Sequence, residues 1–170
     1  MRKAEAWIKR IEASTDAIMV IDNEKLTRME GYLLPEAFLF ADQVLANAAE
    51  SIARLVVMKG YMNVDIADVF TTLRSGKKAV ISTGDEMRVT KAINSAVHSV
   101  LMDDVDLAKC NRVLLNFYCS RQDAMNTREL REVQDFTGQM MEDVDVKWGI
   151  NYDESLGKRI KVTVLAVGQW

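Results

Sequence analysis

The longest periodic stretch of the chain runs from Leu34 to Val56, where Leu34, Phe38, Ala41, Val44, Leu45, Ala48, Ile52, Leu55 and Val56 recur at steps of three and four. That spacing predicts an amphipathic helix with one broad apolar face over roughly six turns. Pro35 suits a first helical position, and Gly60 suits a left-handed stop just past the end. Upstream, Ala4–Ala13 reads as a helix with Ala6, Trp7, Ile8 and Ile11 as its apolar set. It carries no capping residue at its start, as in a chain opened inside or just before a helix. Ala17-Ile18-Met19-Val20-Ile21 is a continuous β-favouring apolar run, which predicts a strand buried on both faces. Its partners are expected in a sheet other than the one built by the later strands.

Downstream the period alternates between helix and strand. Ile66–Leu73 predicts a short helix closed by Ser75-Gly76, and Lys77–Ser82 a strand turned by Thr83-Gly84-Asp85. Arg88–Leu101 predicts a helix with Val89, Ala92, Ile93, Ala96, Val97, Val100 and Leu101 inward. Arg112–Cys119 is the next strand. Asn126 with Glu129 forms a capping box, with Met125 and Leu130 as its hydrophobic staple, and opens a helix to about Met141. Val144–Asn151 and Arg159–Gly168 are the last strands, with Gly157 at the turn between them.

This order predicts an α+β fold: a two-layer sandwich with helices on one face of a four-stranded mixed sheet, plus the long central helix and an extra N-terminal helix and strand. Ile160–Val167 is dense in β-branched residues and suits a strand well inside the sheet. No internal repeat or low-complexity tract interrupts the pattern.

Composition narrows the classes. The chain has 170 residues, 49% of them hydrophobic and 28% charged, as in an ordinary soluble globular protein. A net charge of −3 with both signs interspersed offers no basic patch for nucleic acid. No apolar run approaches the ~20 residues that span a bilayer, so no membrane insertion is expected. Two cysteines, Cys110 and Cys119, lack metal-ligand spacing and read as buried reduced thiols of a cytoplasmic protein. The single histidine, His98, reads as a helix-surface residue, and no Cys/His nucleophile pair is present.

The candidate chemistry lies just past the long helix, where Asn63, Asp65 and Asp68 stand among apolar neighbours. The plainer reading is that Asp65 caps the next helix. The sharper one is a surface on which the carboxylates act, because acids among apolar residues need compensation.

The segment Gly60-Tyr61-Met62-Asn63-Val64-Asp65-Ile66-Ala67-Asp68-Val69 closely resembles the loop of the FtsZ family, the bacterial tubulin-like division proteins, whose pattern is Gly-x-x-Asn-x-Asp-Phe-Ala-Asp-Val. Ala37-Phe38 and Ala41-Asp42-x-Val44-Leu45 resemble that family's central helix. Asp153-Glu154-Ser155-Leu156 and Ile160–Gly168 resemble its last two strands. The likeness is colinear from about Asp16 to Gly168. It implies the tubulin-type C-terminal domain over residues 60–170, the central helix over 34–59, and a remnant of a nucleotide-binding domain over 1–33.

The resemblance also implies a role. The family hydrolyses GTP between subunits stacked head to tail, one holding the nucleotide and the next delivering carboxylates that polarise the attacking water. By position those would be Asp65 and Asp68, with Asn63 their polar neighbour, acting in trans. Asn23, Phe38 and Asp42 match the family's guanine-side contacts; the plainer readings are core packing for Phe38 and a solvated helix face for Asp42. No metal site is implied.

Nothing in the chain resembles the family's glycine-rich phosphate loop, and no Gly-x-x-x-x-Gly-Lys-Ser/Thr occurs. The isolated chain is therefore expected to bind no GTP and turn none over; the base edge alone gives too few contacts. Ser82-Thr83-Gly84-Asp85 and Cys119-Ser120-Arg121-Gln122 depart from the family's glycine patterns and mark a divergent member. Two roles stay open: the C-terminal half of an FtsZ-like GTPase that assembles with like subunits, or a stand-alone domain that docks on or caps their filaments. The end at Trp170, without a linker, favours the first.

Overall fold

A computed structural model of the chain describes residues 2–21, 34–58, 60–140 and 144–169. Its helices are α1 (Arg2–Glu12), α2 (Leu34–Val57), α3 (Ile66–Arg74), α4 (Val89–Val97) and α5 (Thr127–Met140). Its strands are β1 (Ile18–Met19), β2 (Gly60–Met62), β3 (Lys78–Glu86), β4 (Cys110–Cys119), β5 (Asp145–Tyr152) and β6 (Ile160–Gly168).

The strands form one mixed sheet in the order β1-β3-β6-β4-β5-β2. The four long strands are those expected, with β6 antiparallel to both β3 and β4, and β4 parallel to β5. The short β1 and β2 extend each edge, making six strands rather than four. β1 therefore does not belong to a different sheet: Ile18 and Met19 pair in parallel with Lys78 and Ala79. As an edge strand it is only half buried, and Val20 next to it is 50% exposed.

Side-chain alternation along the strands separates two cores. On one face, Val113, Leu115 and Phe117 of β4 and Val162, Val164 and Ala166 of β6 meet Val89, Ala92, Ile93 and Ala96 of α4 and Val133 of α5. On the other, Leu114, Leu165 and Val167 meet Ala79 and Ile81, with Ala48 and Leu55 of α2 and Val69 of α3. Helices thus cover both faces, with α3 on the same side as α2. β4 and β6 are apolar on both faces because both are covered, which accounts for their unbroken hydrophobic runs.

Two local expectations change. β3 does not turn at Gly84 but continues to Glu86. A Cβ at Gly84 would lie 2.0 Å from the carbonyl oxygen of Ala92 and 2.8 Å from the amide nitrogen of Ala96, so this glycine lets α4 approach the sheet. α4 stops at Val97, and Val100–Met102 forms a separate 3-10 turn. The capping box stands as predicted: the Asn126 amide donates to Glu129 Oε2 at 2.9 Å, and the Glu129 amide donates to Asn126 Oδ1 at 3.1 Å. Met125 and Leu130 both pack on the first core.

Candidate functional site

The acidic segment is shaped by its two buried valines. Val64 and Val69 point into the second core, which leaves Asn63 and Asp65 exposed and Asp68 half-buried. Before them, Gly60 lies against β5, where a Cβ would meet the Ile150 carbonyl oxygen at 2.0 Å. Gly149 on β5 answers it, because a Cβ there would meet the Met62 carbonyl oxygen at 2.6 Å. Neither position tolerates a side chain, so the backbone of the segment sits directly on β5.

Each polar side chain has a local task. Asn63 Oδ1 accepts the Gly60 amide at 2.7 Å and closes the turn. Asp65 is the N-cap of α3, with φ −89° and ψ 167°, and its Oδ1 accepts the Asp68 amide at 2.8 Å. The capping reading of Asp65 is therefore realised in the geometry. It leaves the second carboxylate oxygen free of any role in that bond, on an exposed side chain. Asp68 Oδ1 lies 3.8 Å from Lys147 Nζ on β5, a partly exposed pair that contributes at most ~1 kcal/mol.

Around these acids the surface is apolar: Tyr61 is 76% exposed, Ile66 48% and Phe70 50%. Arg74 lies over the Phe70 ring at 5.7 Å from its centroid. Two carboxylates in an apolar collar at the edge of a domain can orient water for a group brought by another molecule.

Of the guanine-side residues, only Asp42 has a described side chain. Asn23 and the side chain of Phe38 lie outside the described residues, and Asp42 is exposed on α2. Both cysteines are buried and free; burial pushes the Cys110 thiol up to about 11 and raises that of Cys119. His98 is exposed at the end of α4, its Nδ1 3.0 Å from the Asn94 carbonyl oxygen. Sequence reasoning missed Lys147, which comes within 3.8 Å of Asp68 only because the folded chain sets the segment beside β5, a placement no local pattern announces. Among the described residues, no helix is long and apolar enough to cross a membrane.

The family model described as FtsZ family, C-terminal domain, matches residues 77–169. The cell division protein FtsZ of Porphyromonas gingivalis is 39% identical over 95% of this chain and 36% of its own length. Among solved structures, an empty FtsZ dimer from M. jannaschii is similar with a TM-score of 0.77 and 31% identity, covering 94% of this chain and 47% of that one. The GTPγS-bound protofilament of CetZ2 from Haloferax volcanii shares the fold, with a TM-score of 0.66 and 19% identity over 95% of this chain and 48% of that one. The chain thus spans between a third and a half of the length of these relatives.

Proposed function

The chain belongs to the FtsZ family, and from that premise we propose that it is the water-activating part of a tubulin-like GTPase that stacks head to tail with like subunits. Residues 60–170 form the C-terminal domain, 34–59 the central helix, and 1–33 the neighbouring piece of the nucleotide-binding domain. GTP is held by the glycine-rich part of one subunit, which has no counterpart in these 170 residues. The next subunit docks its acidic segment over the γ-phosphate. Asp65 and Asp68 orient the attacking water and accept its proton, and Asn63 holds the turn that presents them. Asn23, Phe38 and Asp42 contact the guanine in the complete site. The process served is division, in the cytoplasm.

One observation carries this reading: Asp65 and Asp68 are accessible, and the residues around them are exposed Tyr61, Ile66 and Phe70. A capping acid alone calls for no apolar collar, whereas an intersubunit contact does, since burying it keeps bulk water away from the one attacking water and strengthens the charges inside. In-line phosphoryl transfer is mostly positioning and electrostatics, so two well-placed carboxylates suffice as the contribution of the docking partner.

The test is direct. Purified chain given GTP releases no phosphate. Added to a full-length GTPase of the family, it binds filaments, and an Ile66→Asp/Phe70→Asp variant does not. Phosphate release by the chain alone, or filament binding that survives charges in the collar, overturns the assignment.

A further inference from the structure

Apart from Val64 and Val69, which anchor it in the second core, the acidic segment is held by little of its own. β2 is three residues long, and its pairing with β5 shifts register between Gly60 and Met62. So short and irregular a ladder cannot by itself fix where the segment sits. The end of α2 that leads into it is also thinly packed: Leu55 is fully buried, but Val56 and Val57 are exposed.

A lateral tie is present at that point. Arg54, in the last turn of α2, donates from Nη1 to Asp153 Oδ2 at 2.6 Å and from Nε to Glu50 Oε1 at 2.7 Å. The same Nη1 lies 3.6 Å from Met58 Sδ, one residue past the end of α2. Asp153 is itself fixed. Its amide donates to the Cys119 carbonyl at 2.9 Å, and its Oδ1 accepts the Ser155 amide at 3.0 Å and the Ser155 hydroxyl at 2.5 Å. Its side chain is only 11% exposed and that of Arg54 31%, so the pair is sheltered from the screening that weakens surface ion pairs. Burial works against the Asp153 charge, but hydrogen bonds from Ser155 and Arg54 outweigh it and hold the carboxyl below the usual range.

The two ties meet on one strand. Asp153 directly follows β5, the strand on which β2 lies and from which Lys147 reaches Asp68. We propose that Arg54 and Asp153 are a positioning pair, locking the end of α2 to the end of β5 and thereby setting the register in which Asn63, Asp65 and Asp68 are presented. The inference rests on the reading of those residues as the proposed site. Neither member touches the reacting groups; both act through the segment.

The experiment uses hydrogen exchange on the whole chain with Arg54→Met, which keeps the apolar stem, and Asp153→Asn, which keeps acceptors for Ser155. Two amides report the segment: Gly60, bonded to Asn63, and Asp68, bonded to Asp65. Each single variant should exchange these about tenfold faster, with the β4 amides Val113–Phe117 unchanged, and the double variant should be no faster than either single. Arg54→Lys, retaining the charge without the fork, should fall between wild type and Arg54→Met, and serves if the Met variant does not fold. Unchanged segment amides, acceleration spread equally over β4, or additive effects in the double variant would each overturn the proposal. Exchange needs no nucleotide and the turnover assays leave Arg54 intact, so the positioning pair and the site it serves can fail separately.

Discussion

Asp65 carries two tasks at once, and substitution can separate them. As N-cap it accepts one hydrogen bond, from the Asp68 amide at 2.8 Å, on an exposed side chain. Losing that bond in Asp65→Ala costs ~0.5–2 kcal/mol, and losing the negative charge near the start of α3 a further ~0.3–1 kcal/mol. Asn caps as well as Asp, so Asp65→Asn loses only the charge term, ~0.3–1 kcal/mol. For a chain of this size each kcal/mol lowers Tm by ~2–4 °C. Circular dichroism melts should therefore place Asn between wild type and Ala. Turnover should not follow that order. An amide cannot take a proton from water, so in a version of this chain joined to the family's nucleotide-holding half both variants should lose ~10²–10⁴-fold in GTP hydrolysis, with GTP binding retained. Turnover intact in Asp65→Asn but reduced in Asp65→Ala would mean that the residue acts only as a cap, and the catalytic reading would be refuted.

Other perturbations test the fold and its titration. Gly84→Ala should destabilise by ~1–3 kcal/mol or more, read in urea melts, because the new methyl meets the α4 backbone at 2.0 Å. Gly138→Ala should instead stabilise by ~0.5–1 kcal/mol, since this exposed helical position has nothing within 4 Å. Asn126→Ala removes one side of the α5 capping box and should cost ~1 kcal/mol. Burial lifts the Cys110 thiol from 9.0 to about 11 and the Tyr118 hydroxyl from 10.0 to about 12. Folding holds on to protons that the unfolded chain gives up, so stability is complete below pH 9 and falls as pH climbs from about 9 to 12. Denaturant melts across that range should show the decline, and Cys110→Ala should remove its lower part.

The sequence by itself determined every element whose information is local. The 3.6-residue stripe of α2, the reciprocal Asn126–Glu129 cap and the doubly apolar runs of β4 and β6 follow from period and side-chain chemistry. The segment from Gly60 to Val69 was legible because its order of residue types is specific, and the valines that bury and the acids that stay outside could be read from the same string. Tertiary structure decided what depends on distant partners. Gly84 looked like a turn because the close approach of α4 is invisible in one dimension. Ala17–Ile21 looked doubly buried because nothing in it says that its neighbour is β3 at a sheet edge. The pairs Asp68–Lys147 and Arg54–Asp153 join residues far apart in the chain, and only the arrangement of β2 and α2 on β5 brings them within reach.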